Sequence, residues 1–227
     1  MRPAPRAALL FDIDGTLADT DRLHLGAFNT VFAPLGHSFT PERFKAELQG
    51  FANSAIAARF LADETAAGRI AIMDEKEATF RSLAHAGVHP LKGLVELLDR
   101  CDAAGLPYAA VTNAPRANAE LILDAIGIRE RFDTIVLGDE LAHGKPHPMP
   151  YLEGLRRLDA DAAFAVAFED SPSGVNSATS AGIATIGMLT GQTADTLRAA
   201  GAVQVAANYA EAELIAFIER TISGAAR

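Results

Sequence analysis

Leu9-Leu10-Phe11-Asp12-Ile13-Asp14-Gly15-Thr16-Leu17-Ala18-Asp19 opens as an apolar run and closes on acids. Ala7 to Phe11 has the length and character of a strand buried on both faces. An unpaired carboxylate is costly to desolvate, so Asp12 and Asp14 are expected where this strand leaves the sheet, at its carboxyl edge. That edge is where open α/β sheets bind ligands. Residues two apart point to the same side, so both acids face one small volume, and Gly15 lets the backbone turn sharply behind them. Two like charges so close repel, and either a divalent cation or a shared proton would relieve them. A strand-end aspartate followed by an inert Asp-Gly turn looks the same locally, so the decision between the two lies further along the chain.

The chain has 227 residues, 49% of them hydrophobic, enough to bury a large core as one domain or as a domain with an insertion. Its net charge of −9 and its lack of a Lys/Arg-rich run argue against a nucleic-acid or anionic-membrane surface. A site for phosphate would have to concentrate positive charge locally. The one cysteine, Cys101, excludes an internal disulfide and reads as a small core residue. The N-terminal apolar run is too short for a membrane span and is interrupted by Asp12, so a cytosolic protein is expected.

After the first strand the pattern is helical as far as Gly87: about Asp21 to Ala33, with Leu23, Phe28, Val31 and Phe32 inward, then Phe44 to Leu48, Ala55 to Thr65 and Ile70 to Leu83. Some seventy helical residues between one strand and the next do not fit plain alternation. The stretch 19–89 therefore reads as a separate helical subdomain, with 1–18 and 90–227 forming the core. From His89 onward helices and strands alternate. The strands are Pro107–Thr112, Asp133–Leu137, Phe164–Phe168, Ala184–Met188 and Val203–Ala206; the helices are Gly93–Ala103, Ala117–Ile126, Met149–Leu158, Gly174–Ala181, Thr193–Ala200 and Tyr209–Ile222. Gly105, Gly127 and Gly182 stand where left-handed helix caps belong. This alternation implies an α/β fold, a doubly wound and mostly parallel Rossmann-like sheet.

Parallel strands place their exits on one edge. Val111 runs into Thr112-Asn113, Phe168 runs into Glu169-Asp170-Ser171-Pro172-Ser173-Gly174, and the loop after Leu137 carries Gly144-Lys145-Pro146. Each segment alone has an ordinary structural reading: a strand-to-turn exit, a surface lysine, acids near a helix N-terminus. Together, in this order and all at strand exits, they favour a functional reading, and phosphoryl transfer is the chemistry they could carry. Asp12 is an available carboxylate nucleophile. Asp14 is placed to protonate a leaving oxygen and later to take a proton from water, provided its pKa is raised. The Thr112 hydroxyl and backbone N–H groups near Asn113 can bind phosphoryl oxygens, and Lys145 offsets developing charge. Glu169 and Asp170 add oxygen ligands to those of Asp12, a set suited to Mg²⁺.

With these residues in hand, the sequence resembles the haloacid dehalogenase (HAD) superfamily, in its phosphatase branch similar to β-phosphoglucomutase and small sugar-phosphate phosphatases. The motifs are Asp12-Ile-Asp14-Gly15-Thr16-Leu17, Thr112-Asn113, Lys145-Pro146 and Glu169-Asp170-Ser171-Pro-Ser-Gly174. The resemblance implies an aspartyl-phosphate mechanism, with Asp12 as nucleophile and Asp14 as acid/base. It also implies Mg²⁺ held by Asp12, the backbone carbonyl of Asp14 and Asp170, with Glu169 nearby. By the same analogy the helical block, about residues 19 to 89, is a cap that closes over the site. His24 and Lys76 fall where mutase-like relatives carry substrate-facing residues. Where the mutase has a phosphate-clamping arginine this chain has Asn53, within Gly50-Phe-Ala-Asn-Ser-Ala-Ile56; Arg116 is the substitute candidate to grip a distal group.

The expected function is Mg²⁺-dependent hydrolysis of a small phosphomonoester, with a sugar phosphate as the candidate substrate. The alternative is a phosphomutase, which the loss of the cap arginine disfavours. A phospho-accepting signalling receiver ranks lower, because receivers are shorter and lack a helical insertion. A P-loop fails on spacing: Gly138 and Gly144-Lys145 are one residue too far apart, and Pro146 stands where Ser or Thr belongs. The expected partner is a small phosphorylated metabolite, not nucleic acid or membrane, for a monomer or small homo-oligomer.

Overall fold

The structure, a computed structural model, describes residues 6–85 and 87–223. The first five and last four residues of the expected core ranges lie outside it. The chain order is β1 (Ala8–Phe11), α1 (Asp21–Phe32), α2 (Pro41–Glu47), α3 (Asn53–Phe60), α4 (Ala66–Ala84), α5 (Leu94–Ala104), β2 (Tyr108–Thr112), α6 (Arg116–Ala125), β3 (Ile135–Leu137), α7 (Met149–Leu158), β4 (Ala165–Glu169), α8 (Pro172–Ser180), β5 (Ala184–Met188), α9 (Ala194–Ala199), β6 (Gln204–Ala206) and α10 (Ala212–Ser223). All six strands run parallel in the order β3-β2-β1-β4-β5-β6. The order reverses at β1, so the crevice at the carboxyl end of β1 is the expected ligand position.

Alternation on β1 explains why the strand is apolar throughout. Leu9 and Phe11 belong to a core with Leu94, Leu98, Ile122 and Leu214 from α5, α6 and α10. Ala8 and Leu10 face Tyr151, Leu155 and Ala178 from α7 and α8. Directly beneath the acids, Phe11 stacks on Phe168 of β4 with ring centroids 4.7 Å apart. Packing of this kind fixes the exit of β1 against the exit of β4.

The helices α1 to α4 surround an apolar cluster of their own, which includes Phe28, Phe32, Phe39, Phe44, Ile56 and Met73. Ala27, Phe80 and Ala84 join the core beneath the sheet edge. Chain enters and leaves this block side by side, because Ala18 bridges Pro90 and Leu91 N–H donates to the Leu17 carbonyl at 2.9 Å. No helix among the described residues is long and apolar enough to cross a membrane.

Several boundaries differ from the sequence reading. The α4 helix starts a turn before Ile70, since the Thr65 hydroxyl accepts from Gly68 N–H at 3.0 Å and caps it. The helix read as Ala55 to Thr65 ends at Phe60. Tyr209 precedes α10 rather than opening it; fully buried, it donates its hydroxyl to the Thr16 carbonyl at 3.1 Å. Gly105, Gly127 and Gly182 all have positive φ, as left-handed caps require, and Cys101 is buried in the core, which pushes its thiol up to about 12.

Candidate active site

Four strand exits meet above β1. Asp12 leaves β1 with its N–H on the Phe168 carbonyl at 3.0 Å. Lys145 arrives from the loop after β3, and its Nζ donates to Asp12 Oδ1 at 2.6 Å, Glu169 Oε1 at 2.5 Å and the Val111 carbonyl at 2.7 Å. An ammonium group has three hydrogens, so all are engaged. Glu169, fully buried, also accepts from the Tyr151 hydroxyl at 2.7 Å. Charges removed from water persist only when paired in this way.

Glycines make the approach possible. A β-carbon on Gly15, which has φ +72°, would collide with the Asp170 carboxylate, and one on Gly174 would collide with the Glu169 carboxylate. Both acids occupy space that only glycine leaves open.

Asp12, Glu169 and Asp170 offer one carboxylate oxygen each within 4.8 Å of one another, all buried. One ammonium faces three carboxylates. Burial first, then Glu169, pushes Asp12 up to about 8 against the pull of Lys145. Burial, then Asp12 and Asp21, pushes Asp170 well above the usual carboxylate range. Uncompensated buried acid with oxygen-only donors fits a hard divalent cation. The Asp14 carboxylate lies outside this cluster, which leaves its backbone carbonyl as the atom it can offer.

Asp14 corrects the expectation of a raised pKa. Burial raises it, but His24, Thr20 and Lys76 together outweigh burial and hold it below the usual value. Its Oδ1 accepts from the Thr20 hydroxyl at 2.7 Å and lies 3.1 Å from His24 Nε2. Lys76 Nζ, which can only donate, sits 3.1 Å from His24 Nδ1; that nitrogen accepts, so Nε2 carries the hydrogen shared with Asp14. The imidazole stacks on Phe80 at 3.9 Å.

Beyond Lys76 the network continues into residues the sequence reading missed. Lys76 Nζ pairs with Glu77 Oε1 at 3.0 Å and lies 4.4 Å over the Phe28 ring. Glu77 accepts from Asn53 at 2.7 Å and from Asn118 at 2.6 Å, while Arg81 holds the other end of the Asn118 amide at 2.8 Å. Burial raises the Glu77 pKa, but Lys76, His24 and Asn53 outweigh it, so Glu77 stays ionised. Gln49, also unforeseen, donates to Asp170 Oδ2 at 2.6 Å.

The remaining candidates divide. The Thr112 hydroxyl accepts from Ala114 N–H at 2.9 Å and retains its own hydrogen to give. Asn113 is committed to scaffolding: its Oδ1 accepts from Lys145 N–H at 2.9 Å, and its Nδ2 donates to the Lys145 carbonyl at 3.1 Å and the Gly50 carbonyl at 3.4 Å. A cavity of about 90 Å³ is lined by Asp12, Asp14, His24, Asn53, Lys76, Thr112, Asn113, Lys145 and Asp170 among others. Arg116 is not brought to it. Its guanidinium is spent on Glu140 at 2.8 and 2.9 Å and on Glu120 at 3.4 Å, at the surface.

Residues 9–188 match the family model described as haloacid dehalogenase-like hydrolase. The chain belongs to that family. It is 34% identical over 186 residues to Protein CbbY of Rhodobacter capsulatus, which covers 78% of this chain and 82% of the relative. It is 31% identical over 188 residues to the phosphoglycolate phosphatase of Xanthomonas campestris, 82% of this chain and 84% of the relative. The crystal structure of a point mutant of CbbY from Rhodobacter sphaeroides in complex with xylulose-(1,5)bisphosphate superposes with a TM-score of 0.80 at 32% identity, covering 91% of this chain and 96% of that one. With phosphatases among such relatives, this member of the haloacid dehalogenase-like family is a phosphatase. Its strand exits carry the acids, hydroxyl and lysine on which the sequence resemblance rested.

Proposed function

We propose that the protein hydrolyses a small phosphomonoester, Mg²⁺-dependently, through an aspartyl-phosphate on Asp12. The observation that supports this most is Lys145 Nζ held between Asp12 and Glu169 on the edge that also carries Asp170. An Asp12 oxygen attacks phosphorus while the ester P–O bond breaks, and the leaving oxygen takes a proton from Asp14. Water then attacks phosphorus and passes a proton to Asp14, and the Asp12–P bond breaks to release phosphate. A phosphate dianion beside Asp14 opposes the pull of His24, Thr20 and Lys76 and raises its proton affinity. Mg²⁺, held by Asp12, Asp170 and the Asp14 carbonyl, would neutralise phosphoryl charge. The Thr112 hydroxyl binds a phosphoryl oxygen.

The adjacency of Ala18 and Pro90 supports reading residues 19–89 as a cap, moving on two neighbouring linkers over a core of 1–18 and 90–227. A single buried thiol suits a cytoplasmic setting, and the residues assigned roles here all come from one chain, as a monomer or small homo-oligomer allows. CbbY is seen with a bisphosphate and the Xanthomonas relative is a phosphoglycolate phosphatase; what carries over to this chain is their size, a small phosphorylated metabolite, and not their second anionic group. The test is phosphate release from a panel of phosphorylated metabolites with Mg²⁺. Isomerised sugar phosphate with little free phosphate would favour a mutase instead.

Two outcomes follow from the acids. Asp14→Asn should slow release by roughly 10²- to 10⁴-fold with a sugar phosphate and much less with p-nitrophenyl phosphate, whose leaving group needs no proton. Equal losses on both would contradict the role of Asp14. In chelator, folding stability should fall as pH rises from about 4 towards 8. The folded chain keeps protons on Asp12, up to about 8, and on Asp170, which the unfolded chain has released above the ordinary value of 3.8. Mg²⁺ binds the deprotonated acids, so its gain in Tm should be larger at pH 8 than at pH 5. A gain that shrinks with pH would count against the cluster as the cation site.

A further inference from the structure

We propose that Glu77, fixed by Asn53 and Asn118, selects phosphomonoesters whose leaving group is an uncharged, hydroxyl-bearing alcohol and excludes those carrying a second anionic group. This rests on the phosphatase reading and names its substrate class. Five carboxylates line the cavity, from Asp12, Asp14, Asp21, Glu77 and Asp170, against two ammonium groups, Lys145 and Lys76. Neither lysine is available to a second anion. Lys145 gives all three hydrogens to Asp12, Glu169 and the Val111 carbonyl. Lys76 is turned onto Glu77 and His24, with its third side over the Phe28 ring.

No arginine lines the cavity among the described residues. The guanidinium of Arg81 is turned to Asn118, and that of Arg116 to Glu140. A carboxylate or second phosphate at the end away from Asp12 would be desolvated beside Glu77 with no free cation to meet it, which makes rejection by like charge effective.

The same wall accepts hydroxyl groups. A carboxylate has about four acceptor positions, and Glu77 uses three, for Lys76, Asn53 and Asn118. Asn53 gives its Nδ2 to Glu77 and lines the same cavity, while Phe28, Leu48 and Ile56 supply apolar wall for carbon. A buried acceptor left without a donor penalises a leaving group that lacks the hydroxyl. Asn118 is held in its orientation by Arg81 and so fixes Glu77.

Glycerol 3-phosphate and 3-phosphoglycerate form a matched pair, equal in carbon count and differing by a hydroxymethyl against a carboxylate. Wild-type enzyme with Mg²⁺ should show a kcat/KM at least tenfold higher for glycerol 3-phosphate, with the difference mainly in KM. Glu77→Gln should narrow that ratio at least fivefold, by improving the carboxylate compound. Asn53→Lys, which places a cation where none now stands, should narrow it as well. Equal or faster release from 3-phosphoglycerate by the wild type overturns the inference whether or not the variants fold. An unchanged ratio in both folded variants overturns the role of Glu77. Failure to release phosphate from any ester, p-nitrophenyl phosphate included, would instead overturn the phosphatase reading.

Discussion

Asp12→Asn is expected to abolish turnover, by at least ~10³-fold, while the protein stays folded. The amide keeps the size of the carboxylate and an oxygen to accept from Lys145 Nζ, now 2.6 Å from Asp12 Oδ1. It cannot form the acyl phosphate. Since Asp12 is one of three buried acids facing a single ammonium, removing its charge relieves repulsion with Glu169 and Asp170 as well as losing an ion pair. The net change in stability should therefore stay within about 1 kcal/mol, far from the loss that leaves a buried charge unpaired. Steady-state phosphate release and a denaturant titration of the same preparation check both halves. Hydrolysis near the wild-type rate in this variant would refute covalent catalysis by Asp12.

Lys145→Met should be damaging on both counts. Methionine fills the channel with an unbranched chain but leaves Asp12, Glu169 and the Val111 carbonyl without their shared donor. Breaking a buried pair in this way costs about 3–5 kcal/mol, and losing the positive charge that faces the transferring group should cost roughly 10² to 10³ in kcat. The stability loss should be smaller at pH 5.5 than at pH 8 in chelator, because the freed carboxylates can take up protons at the lower pH. Urea titrations at the two pH values measure this. Lys145→Arg is not expected to rescue, since a planar fork cannot satisfy three acceptors gathered around one nitrogen. A variant as stable as wild type at pH 8 would show that Lys145 is not the charge holding the cluster together.

The parts of this site that could be read from the chain stand at the ends of apolar runs. Thr112, Glu169 and Asp170 each end or follow a run too apolar to be anything but a buried strand, Lys145 lies in the loop after another, and parallel strands leave little choice about where those exits meet. Of the contributions from the helical block, His24, Lys76 and Asn53 were reached only through the family resemblance, and Gln49 and Glu77 not at all. Lys76 and Glu77 are neighbours in sequence, and adjacent helical residues ordinarily point apart, so nothing in the order of letters shows them meeting at 3.0 Å inside a cleft. Gln49 and Asn118 are joined to the site only by how the block 19–89 is set upon the sheet. The lowered pKa of Asp14 has the same origin, since Thr20, His24 and Lys76 are six, ten and sixty-two positions away. Arg116 is the opposite case. Glu120 stands four residues on along the same helix, and that spacing alone suggests a surface pair in place of a ligand contact.

The missing side chains at Gly15 and Gly174 have a genetic consequence. Every amino-acid change reachable from a glycine codon in one nucleotide step adds at least a β-carbon, and at these two positions that atom would stand in the space of an acidic group. Neighbouring surface positions can accumulate substitutions one step at a time, but for these two codons the first step already collides with the chemistry. The gene has no gradual path away from either glycine.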